Sequence, residues 1–319
     1  MKSATVTLGV PCRADEPDLG GTLETLLAAW RRAGLTSGPS AEMVICINGM
    51  RGDDDCPPRV AAREVCAGWG LPVSEVWLPA KTRRPQGGFC CTVLLTAQAG
   101  KPRAWRAIWA WAAEAVAVVF CDADVRVDPD AVAHLLARRE LDSHLGLVAA
   151  TEVPRVGAQP TLWTRIGAIP YRFDFGNAGG RLYLLRKDAL AVDMPEDLLL
   201  EDAWLTVAVG RSRVAKEPRA RVRFLPPATW KDYFAERVRT EGGKIQIRGL
   251  CRPRAGGEPV ARYRLADFWH GIAFREYPLV ALGLGVRALA RLWARVLLAR
   301  RDFYSLYRPF GSTKGWASS

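Results

Sequence analysis

The sequence predicts an α/β protein built on a doubly wound, mostly parallel central sheet with helices on both faces. Short apolar runs rich in Val alternate with segments of amphipathic helical periodicity, which is the rhythm of strand–helix–strand units. The runs lack the polar–apolar alternation of half-exposed strands, as is typical of parallel strands covered on both sides. At 319 residues, 49% hydrophobic and 24% charged, the chain is large enough to bury such a core.

The first hundred residues supply this rhythm in order. Strands are predicted where β-branched and apolar residues cluster between turn residues, and helices where apolar residues recur at three- and four-residue steps. The predicted strands cover residues 5–10, 42–47 and 72–78, and the predicted helices cover residues 19–33 and 59–69. Residues 81–100, with paired glycines and two adjacent cysteines, are interpreted as a long loop over a site.

The pattern continues past residue 100. A tryptophan-rich helix is predicted over residues 101–114 and a buried strand over residues 116–121. Pro129 suits the first turn of the next helix, so Asp128 is its predicted N-cap residue. The remaining predicted elements are that helix to residue 139, strands at residues 146–153 and 219–224, a helix that opens at the acidic pair of residues 201–202, and helices after residue 227 and over residues 277–301.

The basic excess of the chain lies in its last third. Residues 211–319 hold 23 basic and 8 acidic side chains, against 22 and 25 in residues 1–210, for a formal net charge of +12. This asymmetry indicates an anionic partner, which membrane headgroups, a diphosphate or a nucleic acid could supply. The basic residues do not interleave with a recognisable aromatic RNA-binding motif, so we expect no nucleic acid.

The eight cysteines show neither a C-x-x-C spacing nor a Cys/His metal-ligand spacing. Cys46 and Cys121 lie within apolar runs, where a free thiol behaves as a small hydrophobic side chain. The first residues of the chain lack the long apolar core of a signal peptide. We therefore expect free thiols and a cytoplasmic protein.

Two acids separated by one residue, Asp122 and Asp124, directly follow the predicted strand at residues 116–121. Ligands of open α/β sheets bind beyond the carboxyl ends of the strands, so both carboxylates should project into a crevice. They form a hard-oxygen pair suited to Mg²⁺ or Mn²⁺ carrying a diphosphate. Two acids with this spacing more often lie in a solvated turn, so a metal site needs support from other residues of the chain.

Further acids, bases and amides fall at the ends of the other strands. The segments are Val10-Pro11 with Asp15-Glu16, Asn48-Gly49, Gly100-Lys101-Pro102-Arg103-Ala104, Asp122-Ala123-Asp124-Val125, Asp128-Pro129-Asp130, Glu201-Asp202, and Glu236-Arg237-Val238-Arg239-Thr240. In this order they resemble the motifs of the inverting family 2 glycosyltransferases, which have the GT-A fold. The resemblance covers about residues 5–245 and is most specific around Asp122 and Asp124.

The resemblance implies a role for each matching position. Asp202 would be the general base, and Asp122 and Asp124 would hold Mg²⁺ or Mn²⁺ on the donor. The implied nucleotide-sugar-binding residues are Pro11, Asp15, Glu16, Asn48, Lys101, Asp122, Asp124 and Arg239. Beside the glycine-rich stretch around residue 179, the candidate acceptor-binding residues are Glu201, Trp163, Tyr171 and Phe175.

The chain departs from the family pattern at three positions. Asn48 stands where many relatives have an acid, and Glu236 and Thr240 replace the Gln and Trp of the last motif. That Trp meets the sugar chain or acceptor in relatives, so its absence argues against processive polysaccharide synthesis. We expect transfer of a single sugar, with inversion, from a nucleotide-diphosphate sugar (a UDP-sugar in the first instance) to a hydroxyl acceptor.

The resemblance divides the chain into three parts. Residues 1–125 would form the nucleotide-sugar-binding half, residues 126–230 the acceptor-binding and catalytic half, and residues 231–319 a basic helical C-terminal extension. The helix at residues 277–301 carries arginines at four-residue steps, namely Arg287, Arg291 and Arg295. A membrane-spanning role is disfavoured, because each mid-membrane Arg costs roughly 2.5 kcal/mol or more.

Two interpretations of this C-terminal helix remain. The helix either lies in the headgroup plane at the inner face of the cell membrane, which would suit a lipid-linked acceptor, or packs on the protein's own core. Two other functions also remain as alternatives. A sugar-phosphate nucleotidyltransferase usually has a Gly-rich loop after its first strand, and residues 11–16 contain no glycine. A catalytically silent nucleotide-sugar-binding relative would be expected to lack Asp124 or Asp202, and both are present.

Overall fold

The computed structural model of the chain describes residues 5–35, 41–52, 55–79, 88–173, 178–250 and 271–300. Within them nine strands form one sheet: β1 Val6–Arg13, β2 Glu42–Asn48, β3 Val73–Trp77, β4 Cys90–Thr96, β5 Ala117–Cys121, β6 Arg126–Val127, β7 Leu147–Pro154, β8 Leu182–Arg186 and β9 Val214–Phe224. The helices are α1 Leu19–Arg32, α2 Pro57–Gly68, α3 Lys101–Trp111, α4 Ala131–Leu141, α5 Leu162–Ala168, α6 Glu201–Val209, α7 Trp230–Leu250 and α8 Tyr277–Ala299.

The strands lie in the order β3-β4-β2-β1-β5-β8-β7-β9-β6. The pairs from β3 through to β5 are parallel, as is the β7–β9 pair. Strands β8 and β6 run in the opposite direction to their neighbours. Because β1, β2 and β5 are parallel neighbours, their carboxyl ends meet at one edge of the sheet.

Helices cover both faces of the sheet. Helices α1, α2 and α4 pack on one set of alternating strand side chains, which includes Leu8 and Val119. Helices α3 and α6 pack on the other set, which includes Phe120 and Tyr183. The predicted α/β class, with a mostly parallel sheet between two helical layers, is confirmed.

Close packing of α3 on the sheet depends on a glycine in β1. A Cβ atom at Gly9 would lie 2.7 Å from Ile108 Cγ2 and 3.2 Å from the Phe120 ring. The ring of Trp105 stacks on Phe120 at 4.8 Å, and its Nε1 donates to Tyr183 Oη at 2.8 Å. Helix α3 therefore lies close against β1 and β5, and its first turn reaches the carboxyl edge of the sheet.

Two local predictions were wrong. Residues Cys90–Thr96, expected to be loop, form the fully buried strand β4 between β2 and β3. Small uncharged side chains such as Cys90 and Thr92 tolerate burial on both faces of a sheet. The segment can therefore form an interior strand although it is not a continuous run of Val, Ile and Leu. Helix α4 begins at Ala131 after Asp130, and Asp128 accepts a hydrogen bond from Arg223 Nε at 2.8 Å instead of capping the helix.

The C-terminal helix packs on the body of the protein. Ala290, Ala294 and Leu297 of α8 are buried against Val238 of α7 and Leu199. Elsewhere on its surface α8 exposes large apolar side chains, namely Leu282, Leu284, Leu289, Leu292, Trp293 and Val296. No helix in the described part of the chain is long and apolar enough to cross a membrane.

Candidate functional site

A cavity of about 920 Å³ opens at the carboxyl edge of the sheet, and we call it the first cavity. The ends of β1, β2 and β5 and the starts of α3 and α6 contribute to its wall. Ten predicted site residues line it: Pro11, Asp15, Glu16, Asn48, Lys101, Asp122, Asp124, Glu201, Asp202 and Arg239. The structure thus brings together residues that lie up to 228 positions apart in the sequence.

Lys101, the first residue of α3, links two carboxylates across this cavity. Its Nζ lies 2.7 Å from Asp122 Oδ1 and also forms a short ion pair with Glu201 Oε1. Burial alone would lower the pKa of Lys101, but the two carboxylates outweigh it and raise the pKa. Burial alone would likewise raise the pKa of Glu201, yet Lys101 lowers it. Lys101 and Glu201 are therefore both charged at neutral pH.

The pKa of Asp122 depends on burial and on the same neighbouring charges, but here burial has the larger effect. Burial raises its pKa to about 6, with Asp124 and Glu201 adding to the rise and Lys101 opposing it. The backbone N–H of Asp122 donates to Arg181 O at 2.8 Å, which ties the end of β5 to the start of β8. A bound cation beside Asp122, Asp124 and Glu201 would stabilise the ionised form of Asp122.

A buried hydroxyl of α1 fixes the turn that carries Asp124. The Oγ1 atom of Thr22 lies 2.8 Å from both Ala123 O and Val125 O, and it accepts from Val125 N at 3.1 Å. Thr22 is fully buried. Sequence analysis missed this residue, although a polar residue on the apolar face of a predicted helix was the available signal.

The carboxylates suit a cation that is shared with a substrate. Mg²⁺ and Mn²⁺ prefer oxygen ligands, and Mg²⁺ commonly takes one or two protein carboxylates together with substrate phosphates. Asp122 and Asp124 present such oxygens on the wall of the first cavity. Across the described ranges, no three His, Cys, Asp or Glu side chains are grouped as a metal site. The residues therefore fit a metal ion completed by a diphosphate.

The loop after β1 and the end of β2 form the far side of the first cavity. Asp15 is exposed and accepts two hydrogen bonds from Arg13, at 2.9 and 2.7 Å. Glu16 is buried and accepts from the backbone N–H of Asp18 at 3.1 Å. Asn48 donates to Cys12 O at 2.6 Å and accepts from Gly100 N at 2.9 Å, so its amide joins β1, β2 and α3.

Asp202, the second residue of α6, accepts from the backbone N–H of Ala203 at 2.8 Å. Burial, followed by the charges of Glu201 and Glu152, raises its pKa to about 7. A Cβ atom at Gly180 would lie 3.0 Å from Asp202 Cβ, so only a residue without a side chain fits here without movement. Because of its burial and the two neighbouring charges, the Asp202 carboxyl group has a pKa near neutrality, which suits a general base.

A second cavity, of about 840 Å³, adjoins the first. Its wall includes β7, α7 and α8. The residues that line both cavities are Glu152, Arg181, Leu200, Asp202, Glu236 and Arg239. Asp202 thus lies on the boundary between the two cavities.

Glu152 and Arg181 are site residues that sequence analysis did not identify. They form an ion pair at 2.9 Å, and the Arg181 guanidinium lies 3.6 Å from the centroid of the Phe224 ring. A Cβ atom at Gly179 would lie 3.2 Å from Glu152 Oε1. The glycine-rich stretch thus allows β8 to approach this carboxylate, and the pair forms part of the boundary between the cavities.

The structure separates the aromatic acceptor candidates. Tyr171 lines the second cavity, where it accepts from Arg181 at 3.3 Å, and burial raises its pKa to about 12. Trp163 lines neither cavity, because it packs against Trp230 at 4.8 Å and Tyr233 at 5.6 Å. Phe175 lies outside the described residues.

Comparison with known proteins shows the fold. The mannosyltransferase PcManGT from Pyrobaculum calidifontis, solved in complex with GDP-Man and Mn²⁺, is 18% identical over 97% of this chain and 83% of that chain, with a TM-score of 0.56. No family model matches the sequence, and no curated protein matches it. The likeness shows the fold alone, which is the GT-A-like fold that the sequence resemblance implied.

Two other solved structures are less similar. TarS from S. aureus is 14% identical over 94% of this chain and 54% of that chain, with a TM-score of 0.48. A mycobacterial protein is 18% identical over 80% of this chain and 77% of that chain, with a TM-score of 0.47.

Proposed function

We propose that the protein transfers a single sugar from a nucleotide-diphosphate sugar to an acceptor hydroxyl, with inversion at the anomeric carbon. The observation that carries this proposal is the position of Asp202. It borders both cavities, so it can meet a donor on one side and an acceptor on the other. Its pKa of about 7 suits a group that accepts a proton near neutral pH. The glycosyltransferase fold and the complex of PcManGT with a nucleotide sugar support the same function.

The first cavity is the proposed donor site. Asp15 and Asn48 lie on the side where the base and ribose would bind, and Lys101 and Arg239 supply positive charge near the diphosphate. Mg²⁺ or Mn²⁺ held by Asp124 and Asp122 would neutralise the charge of the leaving diphosphate. We expect the nucleotide to be the part of the donor that these residues hold most tightly.

The chemistry assigned to the chain itself is a proton transfer. Asp202 takes the proton of the acceptor hydroxyl while the hydroxyl oxygen attacks the anomeric carbon in line with the departing diphosphate. A single displacement of this kind inverts the anomeric centre. A general base with a pKa near the working pH combines a large ionised fraction with enough basicity to accept the proton.

The second cavity is the proposed acceptor site, and α8 connects it to a membrane surface. The exposed apolar side chains of α8, together with Arg300 directly after its last residue, are typical of a helix that rests in the headgroup region. We therefore favour a lipid-linked acceptor that enters from the membrane side. Helix α8 would touch the membrane with its outer face while its inner face stays packed on α7.

Calorimetric titration with UDP and with GDP, each with and without Mn²⁺, tests the donor site. We expect metal-dependent binding of one nucleotide and its loss in Asp124→Ala, because one carboxylate ligand of the shared ion is removed. The nucleotide that binds then identifies the donors to use in a transfer assay. Absence of binding for both nucleotides under all conditions would contradict the proposed donor site.

The base assignment has a separate test. Asp202→Asn should keep nucleotide affinity and lower kcat by about 10²- to 10⁴-fold, which is the usual contribution of a general base. Trp163→Phe, outside both cavities, serves as the control and should keep the wild-type kcat. Full transfer activity in Asp202→Asn would show that another group accepts the proton.

A further inference from the structure

The second cavity has a strongly positive wall. Nine basic side chains and four acidic side chains line it. Three of the acids already have basic partners: Glu152 pairs with Arg181, Glu236 with Arg237, and Glu241 with both Lys244 and Arg287. The positive excess is therefore not neutralised within the cavity.

Part of this excess comes from one side of α8 and the end of α7. Arg291 and Arg295 lie one helical turn apart on α8, and Arg248 lies near the end of α7. None of the three forms an ion pair with a carboxylate in the ranges that the structure describes. Arg291 is half-buried, whereas Arg295 and Arg248 are exposed.

The cations of the cavity repel one another. Burial, and then the charge of Arg287, lower the pKa of Lys244 to about 8, even though Glu241 opposes the shift. Positive charges held in a concave surface concentrate their field in the enclosed space. An anion bound in this cavity would reduce the repulsion between the cations. Arginines on a convex, solvated face repel one another less, because water screens their charges.

Arginine is suited to one class of anion in particular. Its planar guanidinium donates two parallel hydrogen bonds to a phosphate or carboxylate, and two arginines one turn apart lie about 6 Å from each other along the axis. That spacing allows both to contact a single phosphate group or two linked ones. The cavity volume of about 840 Å³ leaves room for the remainder of the molecule to extend toward Asp202.

We propose that the second cavity binds an acceptor that carries a phosphate group, and that Arg291 and Arg295 hold this phosphate with Arg248 beside them. The inference rests on the proposed function, because it takes the molecule in this cavity as the acceptor whose hydroxyl Asp202 deprotonates. The phosphate belongs either to a lipid headgroup or to a water-soluble phosphate ester. The chemistry that the arginines recognise is the same in both.

Two probes separate these sources. Glycerol 1-phosphate, titrated by calorimetry, represents a soluble phosphate ester, and phosphatidylcholine vesicles with and without phosphatidic acid, assayed by flotation, represent a lipid phosphate. The Arg291→Glu/Arg295→Glu variant should bind the phosphate probe at least about tenfold more weakly, since it loses two charge-assisted contacts. The Arg291→Lys/Arg295→Lys variant keeps the charge and should retain intermediate affinity.

The control has the same change of charge outside both cavities. Arg165 and Arg221 are exposed and line neither cavity, so Arg165→Glu/Arg221→Glu should bind both probes as the wild type does. Stronger flotation with the vesicles that contain phosphatidic acid than with phosphatidylcholine alone would identify a lipid phosphate, and binding of glycerol 1-phosphate without that difference a soluble ester. Wild-type protein that binds neither probe, or an Arg291→Glu/Arg295→Glu variant that binds as tightly as the wild type, would overturn the proposal.

Nucleotide titration of the same variants keeps the two proposals distinguishable. Arg291→Glu/Arg295→Glu should bind the donor nucleotide with wild-type affinity, because neither arginine lines the first cavity. If nucleotide binding is absent but phosphate binding depends on Arg291 and Arg295, the donor site fails while the phosphate site stands. If nucleotide binding is present but phosphate binding is unaffected by the variant, the phosphate site fails while the donor site stands.

Discussion

Asp202 shows how the surroundings of one carboxyl group set its chemistry. Burial is the largest cause of its raised pKa, and the neighbouring charges of Glu201 and Glu152 add to it. Glu201, one position earlier, has a lowered pKa because Lys101 pairs with it. Two adjacent acids at the start of α6 thus differ in ionisation, and only the side chain beside Gly180 is suited to take a proton near neutral pH.

At this residue scale we predict a pH-dependent rate. The ionised fraction of Asp202 grows as the pH rises through about 7, so kcat/KM should rise over the same range and level off above it. Glu201→Gln removes a negative charge that raises the pKa of Asp202, so its rising limb should move to lower pH. A pH–rate profile of both proteins checks this, and identical limbs would contradict the assigned coupling.

Among the elements, α1 positions the turn after β5 through one hydroxyl. Replacing Thr22 by Val should lower the free energy of unfolding by about 1–3 kcal/mol, because buried backbone groups around Val125 lose their hydrogen-bond partner. The turn that carries Asp124 should loosen, so nucleotide affinity should fall as well. Thr22→Ser keeps the hydroxyl and is the matched control; urea unfolding and calorimetry measure both effects.

An ion-pair network joins α2 to the edge strand β3. Burial alone would raise the pKa of Glu75, yet hydrogen bonds from Arg63 and Arg59 lower it to about 2. The folded pKa lies below the ordinary value of 4.5, so the network stabilises the fold above about pH 4.5 and loses this contribution as the pH falls toward 2.

Glu75→Gln should therefore destabilise the protein by about 1–2 kcal/mol at neutral pH, an amount between those of exposed and buried ion pairs. Near pH 2 the wild type and the variant should have nearly the same stability. Urea unfolding at both pH values measures the difference. Equal stability at neutral pH would show that the network contributes nothing to the fold.

At the scale of the whole molecule, the proposed membrane contact predicts that vesicle binding depends on the exposed apolar side chains of α8. Leu289→Glu/Trp293→Glu should abolish flotation with phosphatidylcholine vesicles, because two exposed apolar side chains that would enter the headgroup region become charged. The variant should keep its fold, since both side chains are about half exposed and belong to none of the apolar clusters that pack α8 on the rest of the described chain. Leu141→Glu/Val192→Glu, also at exposed apolar positions, is the control and should float as the wild type does.

The order of strands and helices was accessible from the sequence because each depends on local periodicity. The alternation of apolar runs and amphipathic segments predicted the α/β class, and the structure confirms it. Strand β4 was missed because its cysteines and threonines do not look like a buried strand until β2 and β3 are placed on either side of it. The antiparallel insertion of β8 between β5 and β7 is likewise a long-range pairing.

For the site, the sequence alone determined which residues stand at the carboxyl ends of parallel strands, because strand direction brings those ends to one edge. Only the tertiary structure decided what each residue meets there. It placed Lys101 between Asp122 and Glu201, put Asp202 on the boundary of two cavities, and turned one side of α8 toward the second cavity. The two ion pairs of Lys101 join residues 21 and 100 positions apart, and burial and charge act through space, which local patterns in the sequence do not encode.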